Sequence, residues 1–273
     1  MCLRQVGAPE QIKEEVIRLR TLPGMWRTNF FVSDEEVARW CAKGELFLSS
    51  TEGSFLLLHN RETFCHAFFC TVELSDAEKA LAAMTQKTKL PISMDILGKD
   101  DGLRTMVSQA GFRRVMTLKR MTRPNEDMQA GDLPIGDAEY AKSEEMPVLM
   151  EQLQLYFDPL TKQLPDEEEL WRMIQKREVL VQRMSGNEVV GFLVFEPQGA
   201  VRLLRYILVK EEWRGKSLGV TLLNTFLGIR HGVRKHQLWV EKENFPAIRM
   251  YEEGGFQFDG LHDDIFIFPK SKQ

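Results

Sequence analysis

The sequence predicts an α+β protein in which two similar units, each a mixed central sheet flanked by helices, follow one another along the chain. Three observations point that way. Apolar runs of strand length alternate throughout with stretches that are apolar at helical spacing. The order strand, helix, Gly-Phe, strand occurs twice, at Leu90 to Met121 and at Gln237 to Phe268. Between the two copies, Thr122 to Gly136 is rich in proline, glycine and polar residues and reads as a linker. The units are therefore expected at 1–124 and 137–273, joined through 125–136.

In the first unit, Glu10 to Arg20 carries a partial apolar stripe and is expected to be helical. Ser33-Asp-Glu-Glu opens a second helix, with serine as N-cap, glutamate three residues on and an acidic first turn. That helix stops before Gly44. Leu46 to Ser49, Ser54 to His59 and Thr63 to Leu74 read as strands joined by hairpin connections. Ser75 to Met84 reads as a helix with a serine cap. Leu90 to Leu97 is a strand, Gly102 to Ala110 a helix, and Arg113 to Met121 a strand. In the second unit, Ala138 to Phe157 reads as one long helix bent at Pro147, and Asp166 to Arg177 as another. Val179 to Met184, Val189 to Glu196 and Ala200 to Val209 are successive strands. Val220 to Ile229 is apolar at helical spacing, and Gln237 to Glu241 is a strand. Asn244 to Tyr251 is a short helix with Asn244 as N-cap and Pro246 in its first turn, where a missing N–H does no harm.

The totals exclude several classes. The 273 residues are 43% hydrophobic and 28% charged, as in an ordinary globular protein, and can hold two domains. A net charge of -4 argues against a nucleic-acid binder. There is no apolar span of membrane length and no signal-peptide core, so a cytoplasmic protein that meets no membrane is expected. The 4 cysteines, Cys2, Cys41, Cys65 and Cys70, lack metal-ligand spacing. Cys65 and Cys70, on one strand, face opposite sides and are expected to remain reduced. His231, His236 and His262 are spaced too irregularly to suggest a metal site, and His59 and His66 read as structural.

The chemistry concentrates in one stretch. A strand ending at Val209 is followed by Trp213-Arg-Gly-Lys-Ser-Leu-Gly219 and then by a helix. That order aims several backbone N–H groups and the positive end of a helix at one point, and glycine lets a diphosphate approach the backbone. Arg214 and Lys216 add charge at the rim. Farther on, Asn244, Ala247 and Tyr251 share one face of their helix, and Gly254-Gly255 ends it.

Arg-x-x-Ser-x-Gly at Arg214 to Gly219, followed by Asn-x-x-Ala-x-x-x-Tyr-x-x-x-Gly-Phe at Asn244 to Phe256, resembles the GNAT superfamily of acyl-CoA-dependent N-acyltransferases. The resemblance covers about the last half of the chain. The first half has the same outline, with Asp100 under Asn244 and Val107 under Tyr251. It has no glycine loop, so the chain resembles a tandem GNAT protein with a degenerate N-terminal copy. Ser217 departs from the glycine usual in the family, and a positive φ there would disfavour its side chain. Serine also offers a helix cap or a phosphate ligand.

The resemblance implies the remaining roles. Acetyl-CoA would be the acyl donor, with no metal. The backbone of Ile207, Leu208 and Val209 would hold its pantetheine arm between two splayed parallel strands, with an N–H near Leu208 facing the thioester oxygen. Gly215, Lys216, Ser217, Leu218 and Gly219 would hold the diphosphate, and Asn244 the arm. Tyr251 would be the general acid, while Glu241 and Glu196, at strand ends, are candidates for the base. Tyr156, Phe157 and Asp158 would frame an amine acceptor, small molecule or peptide. The expected activity is N-acetylation of a primary amine. The alternatives are a non-catalytic acyl-CoA sensor and a protein-interaction scaffold.

Overall fold

A computed structural model describes residues 3–125, 137–184, 186–229 and 232–269. The chain divides into two compact units, Met1–Thr117 with His262–Gln273, and Leu118–Leu261.

The first unit runs β1 (Arg4–Gln5), α1 (Glu10–Arg20), β2 (Arg27–Thr28), α2 (Asp34–Ala42), β3 (Leu46–Ser50), β4 (Ser54–Asn60), β5 (Cys65–Thr71), α3 (Leu74–Lys87), β6 (Ile92–Leu97) and α4 (Asp101–Gln109). Ser33 and Glu36 form the expected capping box on α2. The helix after β5 starts one residue earlier than the serine-cap reading. Glu73 is its N-cap and accepts from Ser75 N–H. The strands pair in the order β1, β3, β4, β5, β6, antiparallel except for β5 with β6. The sheet is buried on both faces. Leu56, Ala67 and Met94 pack under α3 and α4, and Leu57, Phe68 and Cys70 under α1 and α2. Cys65 and Cys70 fall in these two different clusters, with free thiols, as strand alternation requires.

The chain leaves this unit within β7 (Arg113–Pro124). The second unit continues with β8 (Glu139–Tyr140), α5 (Met146–Tyr156), α6 (Pro159–Lys162), α7 (Glu167–Gln175), β9 (Val179–Met184), β10 (Glu188–Gln198), β11 (Val201–Val209), α8 (Leu218–Gly228), β12 (Lys235–Glu241), α9 (Phe245–Glu253) and β13 (Gln257–Phe268). Its sheet order is β7, β12, β11, β10, β9, β8, with β11 and β12 parallel. The long helix expected over 138–157 is a correction. Residues 139–140 join the sheet, Ser143–Glu145 make a 3-10 turn, and Pro147 opens α5 instead of bending it. Proline lacks an N–H, so the first turn is where a helix tolerates it.

The expected domain boundary also moves. Residues 118–124 of β7 pair with β12 in the second unit, Leu118 opposite Glu241 and Pro124 opposite Lys235. Residues 263–268 of β13 pair with β6 in the first, Asp263 opposite Leu97 and Phe268 opposite Ile92. The strand after each unit's last helix thus completes the sheet of the other unit. Residues 126–136 of the expected linker, His231 and Cys2 lie outside the described residues.

The two units share one order of strands and helices and differ at one place. In the first, parallel pairing of β5 with β6 covers Cys65 to Ala67. The freed edge of β5 is then taken by β2, with Thr28 opposite Cys70 and Arg27 opposite Thr71. Asn29 completes the plug: Nδ2 donates to Ala67 O at 3.0 Å and Oδ1 accepts from Phe69 N–H at 2.7 Å. Arg27 Nε reaches the Asp100 carboxylate at 2.5 Å. In the second unit, β11 and β12 pair from Val201/Lys235 to Leu204/Leu238 and then separate. Among the described residues no strand fills that wedge.

Candidate active site

The wedge begins where β11 changes its habit. Between Val194 and Phe195 the register with β10 shifts, leaving Arg205 as an extra residue in β11. Arg205 and Tyr206 consequently reach the same side, where both donate to Gln163 O, at 3.1 and 2.8 Å. Gln163 holds a left-handed φ of 46° at the end of α6. Beyond the bulge, Lys210 N–H donates to Val190 O at 2.9 Å. Bonded pairs recur every second residue in an antiparallel ladder, so Leu208 bonds to Phe192 of β10. The amides of Ile207 and Val209 therefore face the wedge. This corrects the expectation for Leu208, whose N–H is turned into the sheet.

The loop after β11 carries the donors. Glu211–Trp213 form a 3-10 turn and α8 starts at Leu218. Among the described residues, the N–H groups of Gly215, Lys216, Ser217, Leu218, Gly219 and Val220 have no acceptor. Gly215 has φ 77° with open space where a side chain would stand. Ser217 has φ 59° and makes no side-chain cap bond, so the expected capping role is not present. At Gly219 a Cβ would lie 3.1 Å from Met250 Sδ of α9, so the methionine would have to give by a few tenths of an ångström to admit a side chain. Arg214 Nε donates to Val209 O at 3.2 Å, and the Lys216 ammonium lies 4.1 Å from the Trp213 ring centroid.

Asn244 caps α9 by accepting from Ala247 N–H at 3.3 Å and is exposed. Asp100 holds the same place on α4 and accepts from Leu103 N–H, as the alignment of the two copies expects. Tyr251 packs in the cluster that includes Leu204, Leu223, Ile207 and Val209. Burial pushes its phenol well above the ordinary value, and among the described residues its hydroxyl has no hydrogen-bond partner. Phe256 N–H returns to Tyr251 O at 2.9 Å, with Gly255 at φ 83°, which locks the end of α9 beneath the tyrosine.

The opposite side of the wedge is charged. Glu241 comes to its open end and binds Lys162 of α6 at 2.7 Å. Glu196 stays at the closed end, opposite Leu203, with its carboxylate 3.8 Å from Arg205. Arg205 binds Glu169 of α7 at 2.8 Å. Burial opposes its charge, yet Tyr206, Glu169 and Glu196 together hold the guanidinium above its usual value. Burial raises the carboxyl of Glu178, with Lys176 opposing and Glu196 adding to the rise. Phe157 packs edge-on against Tyr206 at 5.5 Å, and Asp158 caps α6. Tyr156 is exposed at the end of α5.

Lys162, Arg205 and Glu178 were not singled out in the sequence. The one signal for Arg205 was an arginine inside an apolar strand. Among the described residues no group of three or more His, Cys, Asp or Glu side chains is arranged to hold a metal, and no helix is long and apolar enough to cross a membrane.

The arrangement of strands and helices that carries the open wedge is a fold seen elsewhere. Residues 146–256 match the sequence profile of the acetyltransferase (GNAT) family. The chain has the fold of GNAT proteins along its whole length. A GCN5-related N-acetyltransferase from Sphaerobacter thermophilus superposes with a TM-score of 0.63 at 17% identity, covering 97% of this chain and 94% of its own. A tandem GNAT protein from the clavulanic acid biosynthesis pathway gives 0.64 at 13% identity, covering 100% and 99%. A GNAT-family acetyltransferase from Colwellia psychrerythraea gives 0.57 at 11%, covering 98% and 99%. No curated protein matches the sequence. Residues 146–256 thus match the acetyltransferase (GNAT) family profile, and the chain as a whole has the fold of GNAT proteins.

Proposed function

We propose that the second unit transfers an acetyl group from acetyl-CoA to a primary amine by direct attack in a ternary complex. The observation that carries this reading is the row of unengaged N–H groups from Gly215 to Val220 at the mouth of the open wedge. Such a row suits a diphosphate, and the free edge of β11 suits a pantetheine arm. Ile207 and Val209 would hold the arm by their main chain. Asn244 would meet it from α9, and Arg214 and Lys216 would stand at the phosphates. Leu208 keeps a side-chain role in the packing below.

The chemistry follows from the two sides of the wedge. The amine nitrogen attacks the thioester carbon and the C–S bond breaks. Tyr251, kept protonated by burial, gives its proton to the departing sulfur. Glu241 accepts the amine proton through water once Lys162 yields to the substrate. Glu196 stands farther from the reacting end and holds Arg205. A wedge amide stabilises the oxygen as charge grows there.

A second reading, an acyl-CoA sensor without turnover, draws support from one feature. Both candidate bases already lie beside cations, Glu241 at 2.7 Å and Glu196 at 3.8 Å. Thiol release from acetyl-CoA over a panel of amines separates the two readings. Amine-dependent release supports transfer. A rise in melting temperature with coenzyme A, without release for any amine, supports the sensor. No shift and no release sinks both and leaves the scaffold reading.

A further inference from the structure

The first unit holds a cavity of about 440 Å³ that the plugged wedge does not explain. One face of α1 contributes Ile12, Val16 and Ile17, and the segment around β2 contributes Trp26, Phe30 and Phe31. Val37 and Cys70 are 4% and 2% exposed and form its floor, whereas Ile17 and Phe31 are 64% and 71% exposed and stand at its mouth. The floor carries no charge. Burial pushes the Cys70 thiol up to about 11, and the sulfur lies 3.0 Å from Thr28 Oγ1.

The mouth is different. It holds three charged residues, Lys13, Arg20 and Asp34. Lys13 and Asp34 neutralise one another at 2.8 Å. Arg20 has no carboxylate partner among the described residues, and its guanidinium lies 5.5 Å from the Trp26 ring centroid. An apolar chamber with one uncommitted guanidinium at its entrance selects a particular shape of ligand. The tail must be apolar and slender, and the head must be a single anion that a planar fork of N–H donors can grip.

We propose that the first unit binds an unbranched medium-chain carboxylate, with its tail between α1 and Phe30 and its carboxylate on Arg20. The plug formed by β2 builds this chamber, because the segment that closes the wedge also supplies its aromatic wall. The site is independent of the second unit's chemistry, since every lining residue lies between Pro9 and Cys70.

The test is calorimetry on the full chain with hexanoate, octanoate and decanoate, and with decanol as the uncharged control. One-to-one binding is expected, tightening about fourfold per added methylene. Arg20→Gln, at an exposed position, should weaken decanoate tenfold or more and leave decanol unchanged. Ile17→Glu, also exposed, should weaken decanoate by repulsion at the mouth. Melting temperatures equal to the wild type in both variants establish that they are folded. No binding of decanoate by the wild type, affinity indifferent to chain length, or equal loss of decanoate and decanol in Arg20→Gln would overturn the proposal.

Discussion

Ser217 is the residue at which this chain asks most of its backbone. A left-handed conformation costs a side-chain-bearing residue about 1–2 kcal/mol, part of which glycine returns as lost chain entropy. Ser217→Gly should therefore raise stability by about 0.5–1 kcal/mol and tighten coenzyme A, read by thermal melting and calorimetry. Weaker binding would show that the serine hydroxyl itself is a ligand. Tyr251 tests the chemistry. Its phenol stays protonated far into the alkaline range, as an acid must. Tyr251→Phe should lower kcat by about 10²–10⁴ with coenzyme A affinity unchanged, measured by thiol release and calorimetry. These two residues were legible before any fold was known, because glycine-loop spacing and helix periodicity are local. Arg205 was not, because only the bulge opposite Val194 and Phe195 turns it toward Gln163 and Glu169.

Two elements each place a polar side chain whose contribution a substitution reads out. The β2 segment occupies the first wedge through buried Asn29, whose side chain bonds Ala67 and Phe69. Asn29→Ala leaves both partners unsatisfied and should destabilise the first unit by about 2–4 kcal/mol, seen as an earlier transition in denaturant. No sequence pattern announced this plug, since two residues of strand are too short for periodicity. The second element is β13. Burial, together with Asp95 and Asp264, raises the Asp263 carboxyl to about 8. The folded chain then holds a proton there that the unfolded chain releases near the ordinary carboxylate value. Stability from this group is complete at acid pH and declines as pH rises toward 8. Asp263→Asn should flatten that decline and raise the melting temperature at pH 8. An unchanged pH profile would remove Asp263 from the account.

The exchange of strands governs the molecule as a whole. A fragment beginning at residue 131 follows the boundary suggested by composition, yet it lacks 118–124 and exposes the edge of β12. It should aggregate or remain unfolded, judged by circular dichroism and gel filtration. A fragment spanning 118–261 keeps residues 118–124 of β7 and all of β8 to β12, the strands of the second unit's sheet, and should fold and bind coenzyme A. If the shorter fragment folds equally well, the exchanged strand is dispensable.

By itself the amino-acid order determined the α+β class, the repeated unit, the donor loop and the cap and tyrosine of α9. Each rests on residues within one or two helical turns of one another, where periodicity, capping and glycine act directly. Only the tertiary structure decided which sheet takes β7 and β13, that β2 closes one wedge while the other stays open, and that Ile207 and Val209 face it in place of Leu208. Those outcomes depend on pairings between residues far apart in the chain, and hydrogen bonds between strands leave no local trace in the sequence.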